Sequence, residues 1–132
     1  MTVVLDTSAV TSVVLGEPDA EAHLSLMLSH AGELHISAAT RVELGLVVEA
    51  KQGPEATKDL EDLLGTLAVV VVPLDEAQAG LAIGAWRRFG KGRHPAHLNL
   101  GDCYSYALAR SLDAPLLFRG DDFSQTDIRS AR

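Results

Sequence analysis

Four short, largely apolar runs punctuate the chain: Thr2 to Leu5, Glu33 to Ile36, Val69 to Val72 and Pro115 to Phe118. Two of them carry no charged or polar side chain at any position. A strand of that kind has to be covered on both faces, as in parallel sheets. Parallel neighbours need a crossover of a dozen or more residues, usually a helix. The segments between these runs do show helical spacing of apolar residues, so the alternation predicts an α/β fold with a mainly parallel sheet. At 132 residues the chain reads as one domain spanning 1–132, long enough for a sizeable core. No internal repeat, low-complexity tract or linker divides it.

Local signals place the helices. Ser8 to Leu15 reads as the first, stopped at Gly16. Glu17-Pro18-Asp19 restarts a helix, with proline in the first turn where its missing N–H is not needed. It runs to about His30, with Leu24, Met27 and Leu28 as its apolar stripe. Ser37 caps a helix that carries Glu43 and ends near Gly53. Pro54 opens the next, with Leu60, Leu63, Leu64 and Leu67 on its buried face. Val69 to Val72 reads as a strand apolar on both faces. Asp75 and Gln78 have capping-box spacing before a helix that reaches about Phe89. Gly90 to His97 is the clearest loop. Gly101-Asp102 starts a helix ending near Leu112, and the polar tail Ser124 to Arg132 reads as an added edge strand or a frayed end.

Composition narrows the class. Hydrophobic residues make up 47 % of the chain, too many for a disordered one. Apolar runs such as Leu67 to Val72 fall far short of the roughly 20 residues a membrane helix needs. The N-terminus lacks the basic region and cleavage site of a secretory leader. Cys103 is the only cysteine and can form no internal disulfide. These features predict a soluble cytoplasmic protein with no membrane contact. The net charge of −7 lacks the global signature of proteins that bind nucleic acid through Lys and Arg. An enzyme of nucleic acid with this charge needs cations to offset its carboxylates and a local basic patch, and the acidic balance favours a basic protein partner.

The acids themselves are placed suggestively. Asp6 closes the first strand, Glu43 sits on the helix after the second, Asp102 lies at the start of a late helix, and Asp121 and Asp122 follow the fourth strand. In open α/β sheets the carboxyl edge of the strands is where ligands bind. Carboxylates gathered there repel one another unless a cation holds them, and an all-oxygen donor set suits Mg²⁺ or Mn²⁺. Two such ions about 4 Å apart can activate water, stabilise developing charge and stabilise the leaving oxygen of a phosphodiester. Each acid alone has an ordinary explanation: Asp6 as a helix cap, Asp102 as a first-turn acid favoured by the dipole, Glu43 as a surface residue, Asp121-Asp122 as turn chemistry after Gly120. The joint pattern is what points to a metal-dependent phosphodiester enzyme.

Four segments carry a resemblance. They are Val4-Leu5-Asp6-Thr7-Ser8-Ala9, the stretch from Ile36 to Leu44, the stretch Leu100-Gly101-Asp102-Cys103 continuing to Ala109, and Pro115 to Phe123. With them the chain resembles the PIN-domain ribonucleases, and within these the VapC toxins of toxin–antitoxin pairs. The resemblance implies a three-layer α/β/α sandwich and an Mg²⁺- or Mn²⁺-dependent endoribonuclease that hydrolyses RNA with activated water, leaving 5′-phosphate and 3′-hydroxyl ends. It carries over Asp6, Glu43 and Asp102 as the metal-binding and catalytic acids. Many relatives have the fourth acid three residues before the phenylalanine, where this chain has Gly120. Asp121 is the favoured replacement, with Asp122 as its substitute. One ion or two satisfies the pattern. The resemblance further implies a cognate antitoxin, a homodimer, and tRNA, rRNA or mRNA as substrate.

Arg87, Arg88, Lys91 and Arg93 form the one dense basic segment. They read either as an RNA-steering patch or as cations complementing a helix end. His94 and His97 lack the further ligands of a zinc site. Cys103 reads as a small buried residue, and Tyr104, Tyr106 and Trp86 as packing or interface residues. A phosphoacceptor receiver also places an aspartate after its first strand, but here Arg119 stands where a lysine is wanted, and a haloacid dehalogenase-type phosphatase wants a second aspartate where Ser8 stands. A PIN-like RNA- or protein-binding module with an inactive site is the non-enzymatic alternative.

Overall fold

The computed structural model describes residues 1–132. Strands β1 (Val3–Leu5), β2 (Leu34–Ser37), β3 (Val70–Val72) and β4 (Leu116–Leu117) form one parallel sheet in the order β3-β2-β1-β4. Helices α1 (Thr7–Val14), α2 (Ala20–Ser29), α3 (Ala38–Gln52), α4 (Pro54–Thr66), α5 (Glu76–Phe89) and α6 (Leu100–Leu112) link them. Side chains alternate across a strand. Val3 and Leu5 therefore face one layer, packed with Val10, Met27, Leu44, Val48 and Leu60 from α1 to α4. Val4 faces the other, packed with Ala85, Phe89, Ala107 and Leu108 from α5 and α6. The result is a three-layer α/β/α sandwich.

The strand order sets the position of any site. From β1 the chain steps outward through β2 to β3, then returns to the opposite side of β1 as β4. The connections diverge beside β1, which makes its carboxyl end the topological switch point. Asp6 is the next residue. The tail after the 3₁₀ turn Phe123–Gln125 runs alongside β4: the Leu116 N–H donates to the Arg129 carbonyl at 2.9 Å and the Ala131 N–H to the Leu116 carbonyl at 2.9 Å. The polar tail thus extends the sheet edge and covers it.

Four local readings are corrected. Strand β3 is not buried on both faces, because it is the other sheet edge, and Val70 and Val71 are exposed. Helix α2 begins only at Ala20, and the Asp19 carboxylate is drawn to the Arg119 guanidinium at 3.0 Å instead of capping it. The buried stripe of α2 is His23 and Met27, while Leu28 is 53 % exposed. The imidazole occupies an inward position because the Ser12 hydroxyl lies 2.6 Å from its Nδ1. At α5, Asp75 accepts from the Gln78 N–H at 2.8 Å, but the Gln78 carboxamide donates to the Pro73 carbonyl, so only half of a capping box forms. No helix is long and apolar enough to cross a membrane.

Candidate active site

Asp6 is 3 % exposed at the end of the central strand. It caps α1, so the bland reading of this residue is correct as far as it goes: its Oδ2 accepts from the Ser8 N–H at 3.1 Å and the Ser8 hydroxyl at 2.6 Å. Its Oδ1 does something a cap does not require, accepting from the Ser105 hydroxyl of α6 at 2.5 Å. Ser8 also receives the Arg119 N–H at 2.9 Å, which ties the chain leaving β4 to the cap of α1. Thr7 turns away from Asp6 and donates to Glu43 Oε1 at 2.6 Å, orienting the carboxylate that α3 supplies.

Helix α6 begins with a reciprocal capping box. The Asn99 side chain accepts from the Asp102 N–H at 2.9 Å, and Asp102 Oδ2 accepts from the Asn99 N–H at 3.0 Å. That box holds Asp102 at the sheet's carboxyl edge. Gly101, just before it, is required by proximity. A methyl group at this position would overlap the Glu43 carboxylate, so glycine is what lets α3 and α6 bring their acids together.

The Asp102 carboxyl is pushed up to about 7, first by burial and then by the charges of Asp6, Asp122 and Glu43, against the pull of the Asn99 N–H. Asp102 therefore lies within the fields of the other three acids. None of the four forms an ion pair with a Lys, Arg or His; the cationic side chains near other acids pair elsewhere. No three His, Cys, Asp or Glu side chains stand close enough together to hold an ion in this arrangement. The donor chemistry nevertheless fits a hard divalent cation: oxygen ligands only, net negative, with no protein cation to neutralise them.

A raised carboxyl pKa has a definite consequence for stability. The folded protein keeps a proton that the unfolded chain loses near pH 4, so stability falls as pH rises from there to about 7 and then levels off. Asp102→Asn should remove that slope and stabilise the ion-free protein by roughly 2 kcal/mol at pH 8, allowing for solvent screening of a half-buried group. Thermal melts in EDTA at pH 5 and pH 8 would check this. Equal pH slopes in the two proteins would contradict it.

Asp122, the substitute for Asp121 in the sequence reading, is among the charges acting on Asp102. Gly120 adopts φ +90°, a left-handed conformation that favours glycine.

The model of the PIN domain family matches residues 3–129. The chain belongs to the PIN-domain family. It is 43 % identical to ribonuclease VapC42 of Mycobacterium tuberculosis over 129 residues, covering 97 % of this chain and 98 % of that relative. Among solved structures it superposes on Mycobacterium tuberculosis VapC20, a sarcin–ricin loop cleaving toxin, with a TM-score of 0.79 at 16 % identity over 96 % of both chains. A toxin–antitoxin complex from Klebsiella pneumoniae matches with a TM-score of 0.71 at 16 % identity, over 96 % of this chain and 93 % of that one.

Other residues of this PIN domain sort by what they touch. Arg88 pairs with Asp127 at 3.4 Å and lies over the Phe89 ring, so its charge is partly spent within the molecule. Arg93 lies over the Trp86 ring at 4.2 Å. Lys91 rims an apolar groove of about 570 Å³ that also reaches Trp86, Asn99, Leu100 and Tyr104, which places one end of the basic segment beside the helix that carries Asp102. His94 Nδ1 accepts from the Ala96 N–H at 3.0 Å, a turn-stabilising role. Cys103 is buried, and burial pushes its thiol up to about 11, far from a reactive thiolate. Tyr106 is buried with its hydroxyl donating to Asp127 at 2.7 Å, while Tyr104 lines the groove. Ser105, Thr40, Asn99 and Gly101 were not legible as site residues. Their signal lies in spacing: Thr40 and Ser105 each stand three residues from an acid on the same helix.

Proposed function

We propose that this PIN domain is an endoribonuclease, the toxin of a toxin–antitoxin pair, which hydrolyses RNA phosphodiester bonds with Mg²⁺ or Mn²⁺. One observation carries the reading: at the sheet's carboxyl edge the Asp102 carboxyl lies in the field of Asp6, Asp122 and Glu43, none of them paired with a cation, in a chain matched over nearly its full length by VapC ribonucleases. Asp6, Glu43 and Asp102 would hold the ion, with Asp122 as fourth acid in preference to Asp121. Such an ion supplies an activated water and charge stabilisation at phosphorus. The chain's own part is orientation. Ser8 and Ser105 fix both oxygens of Asp6, Thr7 aims Glu43, and the Asn99 capping box fixes Asp102. In hydrolysis the water oxygen bonds to phosphorus and the 3′ oxygen departs with a proton, leaving 5′-phosphate and 3′-hydroxyl ends. Arg87, Lys91 and Arg93 would guide RNA phosphates toward the acids, with Arg88 contributing less because Asp127 neutralises it.

The test is cleavage of a total-RNA pool, covering tRNA, rRNA and mRNA, by purified protein with Mg²⁺, Mn²⁺ or EDTA. Cleavage that EDTA abolishes and that yields 5′-phosphates supports the reading and identifies the target. No cleavage, with no ion-dependent rise in melting temperature, would instead favour a binding module with an inactive site.

Two partners follow. The acidic chain favours a basic antitoxin, and an arginine placed among the carboxylates would satisfy them in place of an ion. A homodimer would bury the apolar face formed by Val42 and Leu46 of α3, Leu100 of α6, and Ile83 and Trp86 of α5, all more than 40 % exposed. Leu46→Glu should weaken self-association by about 30-fold, the effect of a hot-spot loss near 2 kcal/mol. Sedimentation over a concentration series would read it, and an unchanged dimer would exclude this face.

A further inference from the structure

We propose that Ser105 is a positioning residue that determines which oxygen of Asp6 faces the cation, and that Thr40 supports it from behind. The inference rests on the metal-dependent reading above. A carboxylate offers about four lone-pair sites. At Asp6, Oδ2 spends two, on the Ser8 N–H and the Ser8 hydroxyl. Oδ1 spends one, on Ser105. The remaining lone pair belongs to Oδ1, and the direction of the Ser105 bond fixes where it points.

The proton count orders the hydroxyls. Ser105 has one hydroxyl proton and gives it to Asp6. Its contact with Thr40, at 3.5 Å, therefore has the Thr40 hydroxyl as donor. The chain of donors runs from Thr40 through Ser105 to Asp6, and all three residues are buried. Two helices build it by the same rule. Helix α3 presents Thr40 and, three residues on, Glu43; helix α6 presents Asp102 and, three residues on, Ser105. Residues three apart share a helix face. Each helix thus brings one carboxylate to the rim of the site and one hydroxyl to the floor beneath Asp6. Neither hydroxyl is needed for a helix cap or a turn, because Ser37 caps α3 and Asn99 caps α6.

The experiment compares Ser105→Ala, Ser105→Cys and Ser105→Thr with the unaltered protein. Mn²⁺ affinity is read by electron paramagnetic resonance without RNA, and RNA cleavage is resolved into kcat and KM. Cysteine keeps the volume and nearly loses the donor, while threonine keeps the donor. The alanine and cysteine proteins should bind Mn²⁺ about 10- to 100-fold more weakly, the range for residues that orient metal ligands. Their kcat at fixed Mn²⁺ should fall with little change in KM for RNA, and threonine should restore both affinity and kcat. A cysteine protein that binds Mn²⁺ like the unaltered one would overturn the proposal and leave the nuclease reading intact. Unaltered protein that binds no Mn²⁺ would overturn both.

Discussion

Asp6→Asn is expected to reduce RNA cleavage more than 100-fold, beyond the roughly 10- to 100-fold cost of removing a group that only orients a ligand. The fold should survive. Asparagine caps a helix about as well as aspartate, so the bond to the Ser8 N–H persists. Removing one of the charges that act on Asp102 also relieves repulsion at the sheet edge. The variant should therefore melt no lower than the unaltered protein without ions, and should lose the rise in melting temperature that Mn²⁺ produces. Melting curves with EDTA and with Mn²⁺, beside cleavage rates, separate the two effects. An Asp6→Asn protein with full activity at limiting metal would refute the assignment of Asp6.

Gly101→Ala should disable the site without unfolding the protein. The added methyl falls on the Glu43 carboxylate, which is the far end of a flexible side chain and can swing away. Doing so breaks the Thr7 hydrogen bond, worth about 1 kcal/mol. Alanine in place of glycine inside a helix returns roughly 0.5–1 kcal/mol. Global stability should therefore barely move, while Mn²⁺ affinity and cleavage drop by more than about tenfold through loss of an oriented ligand. The same measurements check it; unchanged Mn²⁺ affinity would mean that Glu43 is not part of the ion site. A substitution usually regarded as helix-stabilising would here separate stability from function.

Much of the fold was readable because its rules are local. Apolar runs with no polar partner demanded a covered parallel sheet, and caps such as Ser37 announce themselves by residue type. Where an element's role depends on its neighbours, local pattern misled. Val70 and Val71 read as core because the run is apolar, yet strand order leaves them at an open edge. Leu28 read as buried by its spacing, whereas His23 holds the inward position through Ser12.

The site divides the same way. The sequence alone determined the supply of acids, their places at strand ends and helix starts, and the oxygen-only chemistry that follows, because these depend on residue type and on neighbours one to three positions away. Only the tertiary structure decided that Ser105, remote in sequence from Asp6, donates to it, that Gly101 makes room for Glu43, and that the charge of Asp122 acts on Asp102. Those choices depend on distances between separate elements, and such distances are set by how α3 and α6 pack over the carboxyl end of β1.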